Sequence, residues 1–447
     1  MLVIVSDLHL CDGTAYPQNV TAASFGLLQS DIYSLAKRYN AKNLDLVFLG
    51  DVFDLLRTER WFEDDAGKPV AMGERPWGYD GAIDGKRPPD ATLARARAIL
   101  DGIVARNLDV LAALRGEATG LEAPCPVRRI YLPGNHDRLY LFDDQLRARV
   151  QTALGATDER SLAAEGIFQH RLAMPRYGLL ARHGHEWDRL NFQAFRKDAV
   201  PADYTDAEYL QTPIGDPITT ELVAALPYEL ERRLRDAPDF KGTPMLAHVR
   251  DRMEKIEDVR PLMAALEWPF YEAERLQAHL TTAQHDVLRA ALRDTVHTLA
   301  TRFVELPYFK QWRDRTGGGL GFELALDALR VIDPTSLGSL KSVIAKLVQY
   351  FQGEDLVSQG AAREDLAKVG TSGLRFVVYG HTHNPDEVAL RADGTDDVYL
   401  NSGTWRRREF MTLDQRGFIG WEQFTYLAFY DAGERGPAYE CWSGTRR

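Results

Sequence analysis

Five short clusters of metal-binding residue types punctuate this 447-residue chain, and between them they hold six of its eleven histidines. They are Asp7-Leu8-His9, Gly50-Asp51-Val52-Phe53-Asp54, Gly134-Asn135-His136-Asp137, His183-Gly184-His185 and Gly380-His381-Thr382-His383. Carboxylate oxygens, neutral imidazoles and an amide carbonyl suit borderline divalent ions such as manganese, iron, zinc, nickel or cobalt. The cysteines Cys11, Cys125 and Cys441 are widely separated, so neither a cysteine-pair zinc site nor a disulfide scaffold is indicated. Taken singly, the first two clusters are weak signals, since an Asp after an apolar run is a common cap and Gly-Asp suits a tight turn. Paired histidines in a strand-end loop have fewer structural uses.

The elements that must position these clusters lie directly before them. Leu2 to Val5, Leu44 to Leu49, Arg129 to Leu132, Leu179 to Ala181 and Phe376 to Tyr379 are short, continuous apolar runs that read as strands buried on both faces. Strands of a parallel sheet deliver their C-terminal ends to one rim, where ligands collect in α/β folds. Helical periodicity fills the gaps between the first three runs, from Ala22 to Tyr39 and from Leu93 to Leu114, giving a βαβ series and an α/β core. Beyond Val398 to Trp405, residues 409–442 alternate as short strands with turn signals at Asp414 to Gly417 and Asp431 to Gly433. They are expected to extend a second sheet, making a two-sheet β-sandwich flanked by helices.

The order DxH, GDxxD, GNHD, HxH and GHxH resembles the calcineurin-like metallophosphoesterase superfamily, over segments around residues 1–55, 128–138, 178–188 and 374–405. That resemblance implies a four-layer αββα core and two divalent ions, manganese foremost. By the same resemblance Asp7, His9 and His383 hold the first ion and Asp51 bridges both. Asn135, His183 and His381 complete the second. His136 acts as general acid, oriented by Asp137, while Asp54 holds a ligand or a nearby backbone amide. A hydroxide formed from water between the ions would attack phosphorus in line, and His136 would protonate the departing alkoxide. His185 is open between an approach to metals or substrate and stacking beside Trp187. Arg406, in the run Arg406-Arg407-Arg408, either binds substrate phosphate or belongs to an exposed charge run. Cys11 stands where the family usually has a small residue, and an inert buried thiol is expected there.

The resemblance implies that 1–189 and 370–447 form one discontinuous metallophosphoesterase domain, which leaves two insertions. Residues 55–90 start at the active-site rim and read as a long loop whose Trp61, Trp77 and Tyr79 anchor it to its own domain or stack on a base or sugar. Residues 190–369 read as a helical cap over the cleft, with a dimerisation or packing module as the alternative. One stripe there is Leu288, Leu292, Leu299, Phe303 and Leu306, and a second runs from Leu337 to Phe351 after Asp333-Pro334 and Ser336. The alternating charges from Arg250 to Arg260 suit a solvated helix face, and Gly317 to Gly321 suits a hinge.

The resemblance is partial to the UDP-diacylglucosamine hydrolase branch, which has a much shorter insertion and no long loop after GDxxD. A phosphodiesterase or pyrophosphohydrolase acting on a phosphorylated small molecule or lipid-linked substrate is therefore expected. The alternatives are a DNA exonuclease of the repair type and a scaffold that keeps the fold for protein binding. The net charge of −11 argues against a broad nucleic-acid footprint. No apolar run reaches the length of a membrane span, and three unpaired cysteines with no visible leader suggest a cytoplasmic protein.

Overall fold

A computed structural model describes residues 1–17, 20–117, 120–156, 170–260, 264–265, 267–316, 356–364, 373–390, 397–414 and 416–446. Its strands are β1 (Leu2–Val5), β2 (Leu44–Leu49), β3 (Val127–Leu132), β4 (Leu172–Met174), β5 (Leu179–Ala181), β6 (Val259–Arg260), β7 (Phe376–Tyr379), β8 (Pro385–Ala389), β9 (Val398–Ser402), β10 (Arg407–Met411), β11 (Phe418–Phe429) and β12 (Tyr439–Arg446). They form two mixed sheets. The first has seven strands in the order β3-β2-β1-β11-β10-β6, with β12 also on β11; the second has five, in the order β4-β5-β7-β9-β8.

All five apolar runs are strands, and the parallel pairings are the ones that matter for function. β1, β2 and β3 run parallel, with Ile4 opposite Val47 and Val47 opposite Ile130. β5, β7 and β9 run parallel in the second sheet. The period of two along each strand sorts side chains into separate cores. Leu2, Ile4, Val47, Leu49, Ile130 and Leu132 meet Leu179, Ala181, Phe376, Val378 and Leu400 in one cluster shared by both sheets. The alternate residues Val3, Val5, Leu46 and Phe48 face Phe25, Leu28 and Ile32 of α1 (Ala22–Arg38). On the far side, Val377, Tyr379 and Tyr399 pack with Trp187, Val357 and Ala361, the last two on the helix Leu356–Arg363. This partition is consistent with two sheets stacked face to face and helices outside them.

Three expectations change. The C-terminal strands β10, β11 and β12 join the first sheet, with β11 antiparallel to β1, rather than extending the second. The reason lies in β11, whose Leu427 and Phe429 enter the shared core while Tyr426 and Ala428 face the helix side beside Val3 and Val5. The helix expected over Leu93 to Leu114 is two helices, α2 (Asp90–Arg106) and α3 (Leu108–Leu114). The break is at Asn107, whose side-chain amide donates to the carbonyls of Ile103 at 2.7 Å and Cys11 at 2.9 Å. Leu108 consequently turns outward and is 60% exposed. Third, the Arg250 to Arg260 charges do not form a solvated face. Arg250 is held by Glu59 at 3.0 Å, by Glu254 at 2.6 Å and by Glu231, and Val259–Arg260 is a strand pairing β10.

The insertion after Leu190 is helical through most of residues 206–316, and Leu288, Leu292, Leu299 and Phe303 are buried on the helix Thr282–Glu305, with Leu306 just past its end. The stripe from Leu337 to Phe351 and the Gly317 to Gly321 stretch lie outside the described residues. Residues 55–90 form short turns held down by Trp61 and Trp77, both buried, with the Trp61 indole donating to Leu55 O at 2.6 Å. The aromatics therefore anchor the loop. Arg138, buried, ties both insertions to the core by pairing with Asp216 at 2.6 Å and donating to Pro76 O at 3.2 Å. No helix among the described residues is long and apolar enough to cross a membrane.

Because Ile4 has no exposure and lies in the layer shared by the sheets, Ile4→Ala should destabilise the fold by about 2–5 kcal/mol. Urea unfolding monitored by circular dichroism measures it.

Candidate metal centre

Each cluster sits in the loop that leaves a parallel strand, so five loops from two sheets meet at one rim. The loops are laced together before any side chain chemistry begins. Asp7 N donates to Gly50 O at 3.1 Å, His9 N to Asp51 O at 2.9 Å, and Gly380 N to His183 O at 3.0 Å. Asp7 Oδ2 accepts the His381 amide at 3.0 Å, and Asp51 Oδ1 accepts the His136 amide at 2.9 Å. Contacts this close leave no room for a β-carbon at Gly50, which would overlap the His183 ring, or at Gly134, which would overlap the Asp51 carboxylate.

Backbone strain is concentrated here. Among the described residues, non-glycine positions with positive φ are Asp7, His9, Asn40, Asp51, His381 and His383. All but Asn40 are candidate metal ligands. A left-handed conformation costs roughly 1–3 kcal/mol per residue and persists where surrounding structure over-determines it.

The donor atoms gather in two sets. In the first, His9 Nε2 lies 3.0 Å from His383 Nε2, and His383 Nε2 lies 3.3 Å from Asp7 Oδ1. In the second, Asn135 Oδ1 lies 3.1 Å from both His183 Nε2 and His381 Nδ1. Asp51 Oδ2 stands between them, 3.2 Å from His183 Nε2 and 3.8 Å from His9 Nε2. Asp7, His9 and His383 form one group able to hold a metal ion, Asp7, Asp51 and His183 another, and His9, Asp51 and His136 a third. The chemistry of the set fits a cation. Asp7 Oδ1 is buried with no hydrogen-bond partner, and carboxylate, amide and imidazole donors from separate loops face one another within 3.0–3.8 Å.

Supporting groups orient these ligands. Asp54 Oδ2 pairs with His9 Nδ1 at 2.9 Å, and its other oxygen pairs with His136 Nδ1 at 3.0 Å and accepts the Leu56 amide at 3.1 Å. Asp54 is thus the carboxylate that orients His136, which corrects the expectation for Asp137. Asp137 Oδ2 instead accepts the amides of Asp51 at 2.7 Å and Gly134 at 2.8 Å, clasping two ligand loops. Arg406 is buried. It stacks on Tyr16 at 3.6 Å, pairs with Asp258 at 3.2 Å and donates to His9 O at 3.3 Å. Neither expected role for it holds, because Arg406 lies just before β10, where the chain turns its guanidinium inward beneath the first ligand loop.

His185 does not stack on Trp187. Its ring neighbours are His183, His381, Phe192 and Tyr209, while the Trp187 indole donates to Tyr379 Oη at 3.1 Å. His185 lines a crevice with Asn135, Asn191, Tyr209 and Gln211, and its Nδ1 is buried without a partner. Cys11 is buried and donates to Tyr16 O at 3.3 Å, and burial pushes its thiol up to about 11. That is an inert thiol.

Sequence reasoning missed Arg57, Asp188 and Arg260. Arg57 Nε lies 3.2 Å from Asp54 Oδ2, Asp188 Oδ2 lies 3.1 Å from His381 Nε2, and Arg260 Nη2 lies 2.5 Å from His383 Nδ1. Asp188 follows the fourth cluster within three residues, which was an available signal. Nothing in the residues around Arg260 pointed to the centre, because β-pairing rather than chain proximity brings it there.

Burial opposes charge on all of these groups, and their neighbours decide the result. Burial dominates at Asp7, lifting its carboxyl to about 6. At Asp51 burial is outweighed by His183 and His136, which hold the carboxylate well below its usual range. Burial would neutralise His183 and His136, but the facing Asp51 and Asp7 raise the first to about 10, and Asp54 and Asp51 raise the second to about 9. His9 is driven down to about 3 by burial, aided by Arg57.

Asp51 and Asp7 thus hold a proton on His183 at neutral pH, on the side where it would ligate. Its ion pair stabilises the fold fully below the ordinary histidine value and is lost as pH rises toward about 10. Cation binding should therefore release protons near neutrality, and apparent affinity should rise with pH between about 6 and 9. Titration calorimetry in buffers of different ionisation enthalpy reads both. A pH-independent affinity would contradict this electrostatic account.

No protein-family model and no curated protein matches the chain.

Proposed function

We propose that this chain hydrolyses phosphoester bonds, as a metallophosphoesterase of the calcineurin-like type with the four-layer core that type implies. The observation that carries the reading is convergence: Asp7, His9, Asp51, Asn135, His183, His381 and His383, separated by up to 376 positions in the sequence, present their donor atoms at one rim in two adjoining sets. In this reading Asp7, His9 and His383 would hold one divalent ion and Asn135, His183 and His381 a second, with Asp51 within reach of both sets. Manganese is the ion we favour, with iron, zinc, nickel and cobalt as alternatives, since the oxygen donors suit manganese and the imidazoles suit the others. Such ions supply positive charge to the phosphoryl oxygens and lower the pKa of water.

The remaining chemistry belongs to side chains. His136 is held as an imidazolium at neutral pH by Asp54 and Asp51, against the opposing effect of burial. With Nδ1 occupied by Asp54, the proton it can deliver is on Nε2, and a departing alkoxide is the natural acceptor. Asp54 serves two rings at once, fixing the tautomer of His9 and the orientation of His136. Asp137 and Arg406 keep the ligand loops in place without meeting substrate.

The substrate we favour is a phosphorylated small molecule or a lipid-linked phosphoester, with the insertion after Leu190 acting as a cap. Asn191 supports this, since its Oδ1 lies 3.4 Å from Asn135 Nδ2 and so brings the insertion to the metal ligands. A net charge of −11 weighs against a polynucleotide. Three free thiols favour a reducing, cytoplasmic setting.

With manganese present, the protein should hydrolyse an aryl phosphodiester. Asp51→Asn should remove both hydrolysis and bound metal. His136→Ala should lower turnover by about 10²–10⁴-fold while metal content stays at the wild-type level. Full activity in either variant would overturn the assignment.

A further inference from the structure

A ring nitrogen that binds a metal leaves the other one to be satisfied from behind, and in protein metal sites the usual partner is an acceptor. Three of the four candidate ligand histidines follow that pattern. His9 Nδ1 is backed by Asp54 Oδ2 at 2.9 Å, His183 Nδ1 donates to Leu49 O at 2.9 Å, and His381 Nε2 is backed by Asp188 Oδ2 at 3.1 Å. An acceptor in that place fixes one proton on the rear nitrogen, so that the front nitrogen is the one that can be cleared for a cation, and raises its basicity.

His383 departs from the pattern. The group behind its Nδ1 is the guanidinium of Arg260, at 2.5 Å. A guanidinium has donors only and cannot be deprotonated in a protein. Donation from Arg260 claims the Nδ1 lone pair of His383, which places the proton of the neutral ring on Nε2, the nitrogen that faces His9 and Asp7. The same cation also sets positive charge directly behind the ligand. Arg57 adds to it on the His9 side, through its pairing with Asp54.

We infer that the two metal positions are unequal by construction: the one formed by Asp7, His9 and His383 binds its ion more weakly, and Arg260 is the residue that weakens it. This rests on the metal-centre reading above. Arg260 is a positioning residue, acting through His383. It belongs to β6 in the insertion, where Val259 and Arg260 pair with Glu409 and Phe410 of β10. The seating of the insertion against the first sheet thereby sets the affinity of one metal position and leaves the other untouched. His183 and His381, with Leu49 and Asp188 behind them, make the tighter one.

Manganese binding to the full-length, metal-stripped protein tests this by titration calorimetry, with electron paramagnetic resonance counting bound ions. Two affinity classes are expected in the wild type. Arg260→Gln offers an amide oxygen to Nδ1 and should tighten the weaker class by about 10-fold or more, with the tighter class unchanged. His383→Ala should remove the weaker class alone, and Asp188→Asn should loosen the tighter one. Circular dichroism and thermal melting confirm that each variant is folded. If Arg260→Gln misfolds, the His383→Ala and Asp188→Asn pair still assigns each class to its position. Equal affinities in the wild type, no change in folded Arg260→Gln, or loss of the tighter class in His383→Ala would each overturn the inference. Absence of any manganese binding would instead overturn the metal-centre reading itself.

Discussion

Four carboxylates, Asp7, Asp51, Asp54 and Asp137, are buried at one rim of the first sheet, and everything around them answers the resulting concentration of negative charge. Carboxylates that share a low-dielectric site cannot all ionise without compensation. Protons supply part of that compensation. Asp7 and Asp137 are pushed up to about 6 and about 7, chiefly by burial, while His136 and His183 are held charged by the acids that remain ionised. A divalent cation would replace those protons with charge that sits among the oxygens rather than on the ring nitrogens.

That requirement explains features that otherwise look unrelated. Loops must approach closely enough for oxygens from different strands to face one cation, hence Gly50 and Gly134 where a β-carbon would collide with His183 or Asp51. The loops must also not drift apart, hence the backbone lacing from Asp7 to Gly50 and from Gly380 to His183, and the inward-turned Arg406 beneath His9. The insertions are fastened to the same machinery through Arg138, the residue that follows His136 and Asp137 and pairs with Asp216.

The strands and the seven candidate ligands were legible in the sequence because each ligand lies within a few residues of a short apolar run, so local pattern and function coincide. The pairing of β10 to β12 was not, because an antiparallel strand with one face in each core has the same alternation whichever sheet it joins. Charged residues misled, and in one direction. Arg406, open between a phosphate contact and an exposed charge run, is buried, and Arg250 looked solvated and is clasped by three glutamates. Asp137 was read as the partner of the histidine beside it, yet neighbours in sequence on a tight turn point apart, and Asp54, over eighty residues away, supplies the contact. Arg260 had no local signature at all, since β-pairing alone brings it to His383.

The left-handed turns at Asp7, His9, Asp51, His381 and His383 bear on how portable such a centre is. Copying its side chains onto another rim would reproduce the inventory and miss the geometry, because an ordinary strand end relaxes to negative φ and swings each ligand away. What would have to be transplanted is the set of interlocked loops, each keeping its neighbour's backbone from relaxing. Substitutions that favour extended backbone at those positions, β-branched ones above all, would loosen the centre even where the new side chain could still reach an ion.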